Sequence, residues 1–122
     1  MRVAVPSDTD QGLESTRSGH FGHSPYFTIA TIEDGEIKGT SALANPPHEE
    51  GGCLRPVGLL ADAGVDAIVA AGMGMRPMIG FYDAGITVYF ENQTPNVGEV
   101  AKLVAAGSVP IMGAENACNH HH

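Results

Sequence analysis

The sequence predicts an α/β domain built on a five-stranded mixed sheet with about three helices. Three observations support this fold class. Two strand-like runs are joined by turn residues, short uncharged apolar runs follow later in the chain, and helical patterns alternate with those later runs. Because 122 residues suffice to bury one core, we expect a single domain.

The first part of the chain contains three predicted strands. Residues 2–6 are mostly apolar and end at a proline, and residues 7–24 form a long polar loop. Residues 26–32 alternate and favour β-structure, residues 33–36 supply turn chemistry, and residues 37–44 can pair back as a hairpin. Strand two is therefore expected to run antiparallel to its neighbours.

The second part of the chain alternates helices with strands. An apolar helical pattern after Cys53 stops at Gly64, and residues 66–71 form a short run expected to be covered on both faces. A second helix ends near Gly85, residues 86–90 form the fifth strand, and a third helix ends before Gly107. The predicted domain covers residues 1–107, followed by a tail at 108–122 that ends in a Cys/His-rich segment.

Composition excludes several classes of function. Six Lys and Arg against fourteen Asp and Glu give a net charge of −8, and the basic residues are scattered, so nucleic acid is not an expected partner. No apolar run is long enough to cross a membrane, and the start of the chain carries no signal region, which favours a cytoplasmic location. In a reducing compartment the two cysteines favour thiol or metal-ligand roles over a disulfide.

Candidate ligands follow the strands that end at one edge of the predicted sheet. In such sheets the loops after parallel strands open at the same edge, where ligands commonly bind. These loops contain His20 and His23, His48 and Cys53, residues 72–76, and residues 91–93. Ten extended residues span about 30 Å, so Cys118 and His120 of the tail can also reach this edge.

The candidate ligands are chemically soft. Imidazole, thiolate and thioether groups suit copper(I), zinc or metal–sulfur clusters better than magnesium or calcium. Gly72 and Gly74 permit close approach of the backbone, and a helix starting near Arg76 would point N–H groups at an anionic ligand. The thioethers of Met73 and Met75 complete this group. The pattern thus predicts a soft-metal or anionic-cluster site.

Each of these signals has a structural alternative that the residues alone leave open. The two histidines can stabilise a loop by bonding its backbone, and His48 can lie in a solvated loop. Cys53 can be a small buried residue, and methionines are more often packing residues than ligands. Asp8 and Asp10 lack an evident partner carboxylate, and no serine lies in a nucleophile elbow, so an enzyme is not expected.

Two stretches resemble a known family. HFGHSPYF at residues 20–27 and AGMGMRPMIGFYDAGITVYF at residues 71–90, with a final helix closing in AAG, resemble the dinitrogenase iron-molybdenum cofactor-binding family. That family includes small nitrogenase accessory proteins and the C-terminal part of a cofactor-synthesis protein. The resemblance extends from Met1 to about Gly107.

The resemblance implies a ribonuclease H-like three-layer fold without nuclease activity, holding a metal–sulfur cluster. The cluster would be the iron-molybdenum cofactor or its precursor, or a related Fe–S or Mo–Cu–S cluster. The histidine of the HFG element is the favoured ligand in the family and corresponds to His20, while Gly22 belongs to the same element. His23 lies where relatives often have another residue, and Cys53 and the His-rich tail vary among members.

The expected function is non-catalytic binding, storage or delivery of such a cluster. His20 is the leading ligand and Cys53 the second, and His23, His48, Cys118 and His120 are supporting candidates. The expected partner is a protein that donates or receives the cluster, and the chain itself is expected to be a monomer or weak homodimer. The alternative is a regulatory or interaction domain that binds zinc, nickel or copper through its histidines without a cluster.

Overall fold

The computed structural model describes residues 1–18, 24–45, 55–73 and 75–112. The five strands are β1 (Arg2–Ser7), β2 (Tyr26–Glu33), β3 (Glu36–Ala44), β4 (Ala67–Ala70) and β5 (Thr87–Phe90). The helices within these residues are α1 (Arg55–Asp62), α2 (Met75–Asp83) and α3 (Val97–Ala105), with a 3-10 turn at Gly12–Glu14. This element order confirms the prediction. None of the described helices is long and apolar enough to cross a membrane.

The strands form one mixed sheet in the order β3-β2-β1-β4-β5. β2 is antiparallel to both of its neighbours, with Ser7 of β1 opposite Tyr26 of β2. The pairs β1–β4 and β4–β5 are parallel. β1, β3, β4 and β5 therefore all finish at one end of the sheet, here called the carboxyl edge. The opposite end is called the amino edge.

Helices cover both faces of the sheet, which confirms the predicted three-layer architecture. Leu60 of α1 and Phe81 of α2 pack with Phe27 and Ile68 on one face. On the other face Val97, Val100 and Val104 of α3 pack with Val3, Val5 and Val69 of the sheet. Alternate residues of β1 serve the two faces, as the pleat of a strand requires. β4 is buried along its whole length, as its uncharged sequence predicts.

All three helices end in the same way at the amino edge. Gly64, Gly85 and Gly107 have φ values of +75°, +79° and +73°. At each helix the glycine N–H and the next N–H bond back to the last turn, for example Gly85 N to Tyr82 O at 3.0 Å and Ile86 N to Phe81 O at 2.8 Å. This is a Schellman motif, and glycine adopts its left-handed residue without steric cost.

The chain beyond Gly107 packs against β5. The Phe90 N–H donates to Pro110 O at 2.8 Å, and the Met112 N–H donates to Val88 O at 2.7 Å. Val109 and Met112 are buried in the two faces of the core, so the packed region continues to Met112. The pairing covers the free edge of β5, which limits pairing with other chains. At Met112 the chain runs antiparallel to β5 and thus toward the amino edge.

Candidate functional site

The structure describes the residues that flank the predicted ligand-bearing loops at the carboxyl edge. These flanking residues are here called the bases of the loops. The predicted residues His20, Gly22, His23, His48, Cys53, Gly74, Cys118 and His120 lie outside the described residues. Within the described part of the chain, no group of three or more His, Cys, Asp and Glu could hold a metal. The predicted ligand set therefore stays a prediction, and the site is built here from the residues that support it.

Residues 15–18, here called the strap, lead into loop 19–23 with its two histidines. The Ser18 N–H donates to Pro6 O of β1 at 2.9 Å. The Arg17 N–H donates to Pro95 O, just before α3, at 2.7 Å. The strap thus lies between the end of β1 and the loop after β5, and its backbone is paired on both sides.

Arg17 also joins the strap to the β5–α3 loop through its side chain. The guanidinium donates to the Glu91 carboxylate and to the Glu91 carbonyl, and it lies 3.3 Å from the Thr94 carbonyl oxygen. The side chains of Arg17 and Glu91 are only 5% and 13% exposed. Removing one partner of such a buried pair would leave the other charge uncompensated in a poorly hydrated position.

The Glu91 carboxylate also organises its own loop. It accepts hydrogen bonds from the Thr94 hydroxyl at 2.7 Å, the Gln93 N–H at 3.2 Å and the Thr94 N–H at 3.3 Å. Burial alone would raise the pKa of this carboxyl, but the hydrogen bonds from Thr94, Gln93 and Arg17 hold the pKa below its ordinary value. Glu91 is therefore ionised at neutral pH.

Asn45 links the other end of loop 19–23 to the end of β3. Its side-chain Nδ2 donates to Ser24 O at 2.7 Å, and its backbone N–H donates to Pro25 O at 2.9 Å. Ser24 and Asn45 are both buried. Because residues 46–54 follow Asn45 directly, the loop carrying His48 and Cys53 begins beside the end of the loop carrying His20 and His23.

The segment after β4 contributes both to the core and to the edge. The Met73 side chain is 2% exposed and packs in the core, so the described contacts of this predicted cofactor-binding residue are those of a packing residue. Gly72 is half-buried, and α2 begins at Met75, with Arg76 in its first turn. A cleft of about 220 Å³ at this edge is lined by Arg17, Ala71 and residues 92–95.

The organising roles of Arg17, Glu91 and Asn45 were not predicted from the sequence. The predicted topology already puts the long loop after β1 and the loop after β5 at one edge. Arg17 is the basic residue nearest the two histidines, and Glu91 is the first residue after the fifth strand. The predicted topology together with these two opposite charges could therefore have predicted an ion pair between Arg17 and Glu91.

Comparison with known proteins agrees with this fold. An uncharacterised protein of Methanocaldococcus jannaschii is 32% identical over 111 residues, which cover 89% of each chain. The crystal structure of the protein PH0822 is 29% identical, covers 93% of this chain and 98% of its own, and has a TM-score of 0.77. The apo orange protein of Desulfovibrio gigas is 20% identical over 92% of each chain, with a TM-score of 0.78, and shows the likeness of fold alone.

A family model extends the comparison to nearly the whole domain. The model described as dinitrogenase iron-molybdenum cofactor matches residues 1–107. The matched region contains all five strands and all three described helices, together with the strap and the bases of the loops at the carboxyl edge. The resemblance predicted from residues 20–27 and 71–90 is confirmed, and the chain belongs to the dinitrogenase iron-molybdenum cofactor family.

Proposed function

We propose that this protein binds a metal–sulfur cluster at the carboxyl edge and delivers it to a partner protein, without catalysing a reaction itself. Membership of the family supports a role in binding or handling a cofactor. The observation that carries the finer proposal is that the bases of the ligand-bearing loops are joined there. Asn45 links the loops with His20 and Cys53, and Arg17 links the first of them to the loop after β5.

The electrostatics of the edge suit an anionic cargo. Helices α2 and α3 begin at this edge, so the positive ends of their dipoles face it. Glu91 is paired with Arg17 and therefore adds no uncompensated negative charge beside the cargo.

The state of Glu91 is consistent with a non-catalytic role. Glu91 is held ionised by its hydrogen-bond partners, so it does not serve as a proton donor at neutral pH. A site built from loops lets the cargo leave without unfolding the sheet. A protein that donates or receives clusters is the partner proposed for this exchange.

The proposal is tested by anaerobic reconstitution with tetrathiomolybdate and copper(I), and separately with iron, molybdate and sulfide. We expect about one cluster per chain, with charge-transfer absorption in the visible range. His20→Ala should remove most of the bound metal and change the spectrum. His23→Ala, three positions along the same loop, should have a smaller effect, and Cys53→Ser should rank between the two.

Two results would redirect the proposal. A His20→Ala variant with unchanged stoichiometry and spectrum would show that His20 is not the leading ligand. Binding of one zinc, nickel or copper ion without sulfide, and without charge-transfer bands, would favour the regulatory or interaction domain instead. Turnover of phosphate or acyl esters by the wild-type protein would contradict the non-catalytic role.

A further inference from the structure

We propose that a cleft between α2 and β5 is a docking surface for a partner protein segment whose apolar side chains are flanked by lysine or arginine. The cleft has a volume of about 330 Å³, and its walls are α2, the start of β5 and the returning residues 111–112. None of the residues that line it belongs to the predicted ligand set. The inference therefore does not rest on the proposed cluster, and its test uses metal-free protein.

The lining of the cleft is almost entirely apolar. Met78 of α2, Val88 of β5 and Met112 of the returning segment are half-buried or buried there. Among the described residues that line the cleft, the polar side-chain groups are the hydroxyls of Tyr82 and Thr87. Sites for small molecules normally hold several polar groups that fix the orientation of the ligand. A protein segment with apolar side chains therefore fits this cleft better than a small polar ligand.

The rim of the cleft carries exposed apolar side chains on two sides. Tyr82 of α2 is 82% exposed, and Ile111 of the returning segment is 68% exposed. Ile79 lies one helical turn before Tyr82 and is 51% exposed. In the described part of the chain, Met1 is the one other large apolar residue with an exposed side chain. Single exposed apolar residues are ordinary, but a group around an apolar cleft is typical of a protein interaction site.

Acidic residues surround the same end of the cleft. Asp83 is the last residue of α2, and Asp62 is the last residue of the neighbouring helix α1. Asp66 precedes β4, and its carbonyl accepts the N–H of Thr87, which lines the cleft, at 3.1 Å. All three aspartates are exposed, and none of them forms an ion pair with another described residue. The charge beside the cleft is therefore negative.

Two backbone features bear on the same charge. Helices α1 and α2 both end at the amino edge, and the carbonyl end of a helix carries partial negative charge. Arg2 offsets part of this charge, since its N–H donates to the Asp66 carboxylate and its guanidinium donates to the Ala63 carbonyl. Asp62 and Asp83 have no such partner among the described residues. Lysine or arginine beside the apolar side chains of a partner would complement them.

A second copy of this chain fits the surface less well than a basic partner. In a two-fold symmetric dimer the same patch lies on both sides of the interface, so the acidic rims of the two copies would face each other. Each copy also has a net charge of −8. Like charges brought together oppose association, whereas opposite charges accelerate encounter. The charge pattern therefore favours a basic partner over self-association.

The probe is a synthetic peptide with leucines at the spacing i, i+3, i+4, i+7 and lysines at its other positions. Two matched peptides replace its leucines by serine or its lysines by glutamate. Calorimetric titration compares wild-type protein with Tyr82→Ser, Ile111→Ser and Asp83→Asn. Glu33→Gln makes the same charge change as Asp83→Asn at the exposed end of β2, and Val104→Ala loosens the core on the opposite face of the sheet.

We expect one bound peptide per chain. Tyr82→Ser and Ile111→Ser should each weaken binding about fivefold or more, and both should fold because the replaced side chains are mostly exposed. Asp83→Asn should weaken binding about two- to threefold at low salt and less at high salt. Glu33→Gln and Val104→Ala should match the wild type. The serine and glutamate peptides should each bind at least about tenfold more weakly than the original peptide.

Three results would overturn the proposal. Absence of binding, or equal binding of the serine peptide, would contradict an apolar docking surface. Equal binding of the glutamate peptide would contradict the basic character assigned to the partner. Sedimentation of the protein alone tests the second copy, since a wild-type dimer that dissociates in Tyr82→Ser would show that the cleft binds another copy of this chain. Failure of cluster binding would leave all of these measurements unchanged.

Discussion

The two edges of the sheet are closed by different means. At the amino edge the three helices end in glycines at positive φ, and Asp34 and Gly35 make the hairpin turn with φ values of 55° and 76°. Backbone groups satisfy each other in these turns, and the Arg2 guanidinium and the Asp66 carboxylate add two long-range contacts, to Ala63 O and from the Arg2 N–H. At the carboxyl edge, side chains join segments that are far apart in sequence, with Arg17 bonded to Glu91 and Asn45 to Ser24.

We expect the contacts at the amino edge to contribute to stability, and those at the carboxyl edge to contribute also to binding of the cargo. At the amino edge the three helix ends are stabilised mainly by backbone hydrogen bonds and by glycine at positive φ. At the carboxyl edge, side-chain hydrogen bonds join the ends of separate loops, Arg17 to the loop after β5 and Asn45 to Ser24. Changes to the helix ends at the amino edge should therefore reduce stability without reducing affinity for the cargo, and changes at the carboxyl edge should also reduce that affinity.

The largest expected effect on stability is that of Arg17→Met. The substitution leaves the largely covered Glu91 carboxylate without its cation, and removing one partner of a buried pair costs up to about 3 kcal/mol. Urea unfolding at neutral pH measures the change. Glu91→Gln in the same chain should recover part of the loss, and a single variant as stable as wild type would contradict this account of the pair.

A smaller effect is expected from Gly85→Ala at the amino edge. The residue has φ +79°, and an added β-carbon would meet no atom within 4 Å, so the variant isolates the cost of the backbone conformation. That cost is about 1–2 kcal/mol. Thermal or urea unfolding measures it, and affinity for copper(I) with tetrathiomolybdate should stay at the wild-type value. A parallel loss of affinity would remove the distinction between the two edges.

Asn96→Ala tests the start of α3 at the carboxyl edge. The Asn96 side chain accepts the Glu99 N–H at 2.9 Å, and losing such an N-cap typically costs about 1 kcal/mol. Asn96→Asp keeps the acceptor and should retain most of the stability. Equal unfolding midpoints for the alanine variant and the wild type would show that the cap contributes little.

The smallest expected effect concerns acid. The pKa of Glu91 is lower in the folded chain than its ordinary value of 4.5, so its stabilising contribution is present above that value and is lost as the pH falls through the folded pKa. The difference in unfolding free energy between wild type and Glu91→Gln should therefore shrink on acidification from about pH 6 to about pH 3. A constant difference would contradict the lowered pKa.

The features that were predicted from the sequence are those that depend on neighbouring residues. Glycine stops, turn residues and apolar runs act locally, so the element order and the closing residues Gly64, Gly85 and Gly107 were predicted correctly. The covered strand β4 was predicted from the short, mostly apolar run at residues 66–71. The common edge of the loops then followed from the order and direction of the strands.

Contacts between distant polar residues were not predicted. Arg17 and Glu91 are 74 positions apart, and no periodicity relates them. The return of residues 110–112 along β5 was also missed, because three residues carry too short a pattern to mark a strand. Asn45 was not singled out from the sequence, although its position at the end of β3 gives it two hydrogen bonds to Ser24 and Pro25. The predicted ligands, His20 first among them, remain a prediction.

The most direct test of the central claim is elemental analysis of protein purified without oxygen from its own host, together with its absorption spectrum. The account predicts iron, molybdenum or copper together with acid-labile sulfide, at about one cluster per chain, and charge-transfer bands in the visible range. Protein that carries a lone divalent ion without sulfide, or no metal at all, would contradict the claim that the carboxyl edge holds a metal–sulfur cluster.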